Sequence, residues 1–127
     1  MKIKVQFFEE RLVDAVGAGV YEIYARTDDK EELFYVGESV FVLVRCATHL
    51  YEISKGVGYL GFDEEKIGKD NITLIFKLYD NVSSKKDRIA LEKKLIDTKK
   101  PIMQSGIKDR VNPIEDMIDE LTNFLNE

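Results

Sequence analysis

Two short runs, Val20 to Ala25 (VYEIYA) and Leu33 to Val36, constrain this chain more than any other feature in it. The first alternates in character, and both are rich in the aromatic and β-branched residues that favour strands. Only the polar stretch Arg26 to Glu32 separates them, and strands so close in sequence pair as an antiparallel hairpin. A third alternating run, Ile72 to Tyr79, adds a third strand. Between the strands lie helical patterns. Ser39 can cap a helix running to about Ser54, and Ser83 or Ser84 a second one ending before Pro101. The run Asn112-Pro113-Ile114-Glu115 puts a cap, a first-turn proline and an N3 acid in register for a last helix to about Leu125. Residues 2–8 (KIKVQFF) fit a short strand, and 8–16 carry helical spacing, so that region stays ambiguous. Lys55 to Asp70 reads as a loop or broken turn. The expected class is a small α/β (α+β) domain, with a three-stranded, mainly antiparallel sheet flanked by helices.

Size and composition narrow the function classes. A chain of 127 residues with 13 aromatics among 44% hydrophobic residues can bury a core as one domain. Its longest uncharged apolar run, Ser39 to Val44, is too short to span a bilayer, and Met1-Lys2-Ile3-Lys4 leads into no signal-peptide core. One cysteine, Cys46, excludes an internal disulfide and a thiolate zinc cage, and a cytoplasmic protein is the default expectation. The net charge of −5 argues against indiscriminate nucleic-acid binding, but the charge is unevenly spread. Between Ser83 and Pro101 seven bases face three acids; from Asp109 to Glu127 six acids face one base.

Several side chains carry potential chemistry. On a helical wheel of the first helix, Val40, Leu43, Val44, Ala47, Leu50 and Tyr51 form the expected core arc. Arg45 and His49, one turn apart, fall on the opposite side beside Phe41 and Val42. Together they can hold one anion, or they are simply a solvated face. In the second helix Glu92 falls between Ile89 and Ile96 on one side and Leu91 and Leu95 on the other. A carboxylate in a core-facing stripe needs a metal ion, an arginine or a wet cleft; an internal pair with Arg88, its i−4 neighbour, is the structural alternative. In the hairpin, Tyr21 and Tyr35 can approach one another near one end of the sheet, as core residues or as part of a site.

In order and spacing these residues resemble the GIY-YIG nuclease domain. Gly19-Val20-Tyr21 is similar to its first signature and Tyr35-Val36-Gly37 to its second. The family arginine falls on Arg45, ten residues past Tyr35, and the following histidine or tyrosine on His49. The pattern that opens with the metal-binding glutamate is matched by Glu92, Leu95-Ile96 and Pro101, with Gln104 where the family has asparagine. The resemblance covers about Gly19 to Gln104. It divides the chain into an N-terminal extension (1–18), a nuclease-like domain (19–105) and an acidic C-terminal helix on the same domain (106–127). Two other departures are the apolar Val40 to Val44, where relatives often carry lysines, and a loop Lys55 to Asp70 without the second histidine that some members use.

The resemblance implies metal-dependent phosphodiester hydrolysis, with DNA the expected partner and one Mg²⁺ or Mn²⁺ held by Glu92. Tyr21, Tyr35, Arg45, His49 and Glu92 are the implied catalytic residues, and Gly19, Gly37 and Gln104 the structural ones. Arg45 would hold the scissile phosphate, while Lys85, Lys86, Lys93 and Lys94 guide the nucleic-acid backbone. The alternative is a catalytically weak or inactive module of the same fold that binds nucleic acid or protein. Phe41 and Val42 would then, or in addition, form a homodimer patch or dock a partner domain. No membrane role is expected.

Overall fold

Alternation with a period of two places Ile72, Leu74, Phe76 and Leu78 on one buried face of a central strand, and that strand organises the molecule. A computed structural model describes residues 1–28 and 30–103; the expected last helix, Gln104 and the acidic segment 106–127 lie outside the described residues. In chain order the elements are β1 (Lys4–Phe7), α1 (Leu12–Ala15), β2 (Gly19–Thr27), β3 (Lys30–Ser39), α2 (Val42–Ser54), β4 (Val57–Tyr59), β5 (Phe62–Asp63), α3 (Glu64–Ile67), β6 (Ile72–Asn81) and α4 (Lys85–Lys99). They make a mixed α+β fold, with a four-stranded sheet ordered β1-β6-β2-β3 and a two-stranded β4-β5 ribbon. Among the described residues no helix is long and apolar enough to cross a membrane.

The sheet has one strand more than the sequence predicts. The ambiguous N-terminal segment supplies β1, which pairs parallel to β6 with Val5 opposite Leu74, whereas β2 is antiparallel to both β3 and β6. Its partner lies far along the sequence, so local periodicity could not settle the matter. Phe8 ends β1 at φ 50°, and its ring joins Phe7 and Phe76 in an aromatic cluster. The segment 1–18 thus contributes to the same sheet.

The two sheet faces carry separate cores. On one, Tyr21, Ile23, Tyr35, Leu74 and Phe76 pack with Val42, Cys46 and Ile53 of α2 and with Tyr59 and Phe62 of the ribbon. On the other, Val20 and Val36 pack against Leu95, with Leu33, Leu91 and Ile96 half-buried around them. Helix α4 lies on that second face. Ser84 caps it by accepting the Asp87 N–H at 3.3 Å, and Lys100 ends it in the left-handed conformation.

Helix α2 is rotated relative to the wheel reading. Its buried residues are Val42, Cys46, His49 and Ile53, a 4-3-4 spacing, while Val44, Ala47 and Tyr51 face outward. Counting apolar side chains misphased the helix, because the stripe that meets the sheet contains a histidine whose nitrogens are satisfied internally. The helix also starts later than expected. Ser39 ends β3 and its hydroxyl accepts the Phe41 N–H at 3.0 Å, while Phe41 occupies the N-cap. Of the expected docking patch, Val42 is fully buried and offers no surface, while Phe41 is half-buried.

Candidate active site

Strand register brings the two signature tyrosines together. Tyr21 pairs with Gly37 and Ile23 with Tyr35, so both phenol rings point to the α2 side with centroids 6.2 Å apart. Gly37 is required for this: a Cβ there would overlap the ring and hydroxyl of Tyr21. The glycine of the second signature thus makes room for the tyrosine of the first. Gly19 starts β2 opposite Ser39 and Asn81, where a Cβ would run into the Asp80 backbone.

His49 is the hub. Its ring centroid lies 5.9 Å from Tyr21, 5.1 Å from Tyr35 and 5.9 Å from Tyr59. Nε2 is 2.7 Å from the Tyr21 hydroxyl, and Nδ1 is 2.7 Å from the Tyr59 hydroxyl. All three side chains are buried, which makes a Tyr21–His49–Tyr59 chain inside the protein. The Tyr35 hydroxyl is buried too, beside that of Tyr21.

Burial and one cation set the protonation states. Removal from water pushes the Tyr21 phenol well above its usual value, with nearby Tyr35 adding to the effect and Arg45 opposing it. Burial likewise raises Tyr35 to about 12, against the pull of Arg45, and the negative charge of Glu92 adds to the rise. Burial first, and the Arg45 cation second, lower His49 to about 3. At neutral pH the imidazole and both phenols are therefore uncharged, and half-buried Arg45 is the cation beside them.

Glu92 of α4 acts on Tyr35 of this cluster through its charge. It is 4% exposed and close enough to Tyr35 for its charge to act on the phenol. The alternative of an Arg88–Glu92 pair is not what forms. Arg88 Nε donates to Glu38 at 2.9 Å, and Nη1 donates to the carbonyls of Ser83 at 2.7 Å and Val82 at 3.3 Å. This buried pair ties the first turns of α4 to β3 just past Gly37, one turn before Glu92. Lys85, Lys86, Lys93 and Lys94 all stand exposed on α4.

Tyr21, Tyr35, Arg45 and His49 thus come together from β2, β3 and α2, and the charge of buried Glu92 on α4 is felt at Tyr35; Gln104 lies outside the described residues. Sequence reasoning missed Tyr59, which sits in a glycine-rich segment with no periodic signal. It also missed Glu38 as the partner of Arg88. Two cavities of about 300 and 200 Å³ lie elsewhere, around Phe8 and around Phe62. Among the described residues no three His, Cys, Asp or Glu side chains are grouped to hold a metal ion. A single carboxylate suits only a hard cation whose other ligands are water and phosphate oxygen, as for Mg²⁺. Comparison with family models, with curated proteins and with solved structures gave no match.

Proposed function

We propose that this protein hydrolyses phosphodiester bonds in a metal-dependent way, as a DNA endonuclease of the GIY-YIG type. The observation that carries the proposal is the meeting of four separately encoded side chains, Tyr21, Tyr35, Arg45 and His49, in one arginine-phenol-imidazole cluster, with the charge of Glu92 felt at Tyr35. Phosphodiester hydrolysis needs a cation on the phosphate, a base for the water and a stabiliser of developing charge. Arg45 supplies the first and third. Tyr21 is the base: as the water oxygen bonds to phosphorus, its proton passes to the phenol oxygen and the phenol proton passes to Nε2 of His49. The ester P–O bond breaks on the opposite side of phosphorus, and the leaving oxygen takes a proton from solvent water. Burial first, and the Arg45 cation second, make His49 resist a proton; an entering phosphate offsets that cation and makes the transfer easier. One Mg²⁺ or Mn²⁺ at Glu92 would supply Lewis-acid stabilisation of the phosphate charge. Exposed Lys85, Lys86, Lys93 and Lys94 guide the DNA backbone.

A second reading has its own support. Tyr21, Tyr35 and His49 have no exposed surface, and neither cavity is lined by any of them. A catalytically inactive module of this fold, binding nucleic acid or protein, needs no open cleft; the enzyme reading requires the cluster to open to substrate. Nicking of supercoiled plasmid decides between them. The parent should nick with Mg²⁺ or Mn²⁺ and stop with chelator, and Glu92→Gln, folded by circular dichroism, should be inactive. A folded parent that never nicks would leave the second reading.

A further inference from the structure

We propose that the open part of the sheet face beside α4 binds an unpaired nucleic-acid strand, with Tyr24 and Tyr79 as stacking platforms. This goes beyond the nuclease reading, whose tyrosines and histidine lie on the other sheet face, and it stands whether or not the protein cleaves DNA. Helix α4 packs over β3 and the adjoining part of β2. Among the described residues it leaves the same side of β6 and β1 without a helix over it. Alternation decides which side chains stand there. Ile72, Leu74, Phe76 and Leu78 point into the core on the other face, so Lys77 points out on this one. Its Nζ lies 4.7 Å from the ring centroid of Tyr24, and Nζ of Lys99 on α4 lies 5.2 Å from that of Tyr79, which puts both rings on the same side.

Charge makes this face different from the rest of an acidic chain. Lys77 and Lys99 are joined by Arg26, two residues past Tyr24, and by Lys4, which lies opposite Thr73. The carboxylates among them are Glu22 and Glu31. Glu22 is buried and already occupied: it accepts Lys99 Nζ at 2.8 Å and the Tyr24 hydroxyl, which fixes one platform and the cation over the other. Glu31 is exposed and holds Arg26 and Lys77 only at 3.9 and 4.0 Å. Such surface pairs are weak, and a phosphate displaces them at small cost. Glu9 and Glu10 stand past Lys77, around the cavity beside Phe8, and limit the positive surface there.

Rings and cations in this mixture suit a single strand better than a duplex or a protein. Duplex bases are stacked on one another, whereas each unpaired base offers a π-face to an aromatic ring. An exposed cation–π contact is worth less than a base stacked on the same ring. An entering base therefore takes the place of the lysine amine over Tyr24 or Tyr79, and the amine remains beside the phosphates. Protein interfaces, by contrast, are depleted in lysine.

Fluorescence anisotropy of the full-length protein tests this, with labelled oligothymidine and oligouridine as probes and chelator present so that no cleavage intervenes. One or both strands should bind more tightly than a duplex of equal length. Tyr24→Ala and Tyr79→Ala should each weaken binding at least about fivefold, while Tyr24→Phe, which keeps the ring, should restore most of it. Lys77→Gln should lower the slope of log affinity against log salt by about 0.7. A parent that binds neither strand, or a duplex equally well, would overturn the proposal, the first because another occupant such as a second copy then fills the face. Parental affinity in both alanine variants, folded by circular dichroism, would overturn it too. Absence of plasmid nicking would sink the nuclease reading and leave these affinities as they are.

Discussion

Acid should destabilise this protein through one identifiable group. His49 is buried between Tyr21, Tyr35 and Tyr59 beside Arg45, and its folded value is lowered to about 3 from an ordinary 6.5. The unfolded chain therefore takes up a proton near pH 6.5, while the folded chain refuses it until near pH 3. Stability is fully present above the unfolded value and falls as the pH drops through this window. The slope is about 1.4 kcal/mol per pH unit, and integration from pH 8 to pH 5 gives a loss of about 2 kcal/mol. Urea unfolding at pH 8, 6.5 and 5 measures the loss, and His49→Gln should remove most of the slope while lowering stability at pH 8. The range above pH 5 keeps ordinary carboxylates out of the measurement. If the His49 ring resonances titrate near 6.5 in the folded protein, or if the slope survives in His49→Gln, the buried, neutral imidazole is refuted.

Two further outcomes test the frame around the cluster. Gly37→Ala should cost about 1–3 kcal/mol in urea melts, because its methyl overlaps the Tyr21 ring; adding Tyr21→Ala should give less than the sum of the single changes, and strict additivity would break the argument. Arg88→Met should cost about 3–5 kcal/mol by stranding Glu38, and Glu38→Leu in the same chain should recover at least half. Equal stability of the single and double variants would remove the pair as the anchor of α4.

Strand chemistry was legible in the sequence because it is local. The alternation in Val20 to Ala25 and Ile72 to Tyr79, and the short polar link to Leu33, mark β2, β6 and the hairpin; the structure lengthens each but moves none. The serine cap of α4 and the position of Glu92 in its buried stripe were readable for the same reason. What the sequence left open depended on partners far along the chain. β1 exists because β6 offers it an edge, and no count of residues 2–8 decides between strand and helix without that edge. α2 was misphased because polarity predicts exposure only when a polar group lacks partners. His49 is buried because hydroxyls from β2 and β4 meet both of its nitrogens, and Val42 is buried because Cys46, His49 and Ile53 share its stripe. Composition shows neither fact. The spacing of Tyr21, Tyr35, Arg45, His49 and Glu92 named a set of residues; only strand register and helix rotation determined that Tyr21, Tyr35 and His49 meet beside Arg45, that Tyr59 joins them and that Arg88 turns to Glu38. Pairing register and burial are properties of the assembled chain, and the free energy of each contact depends on what the rest of the fold places opposite it.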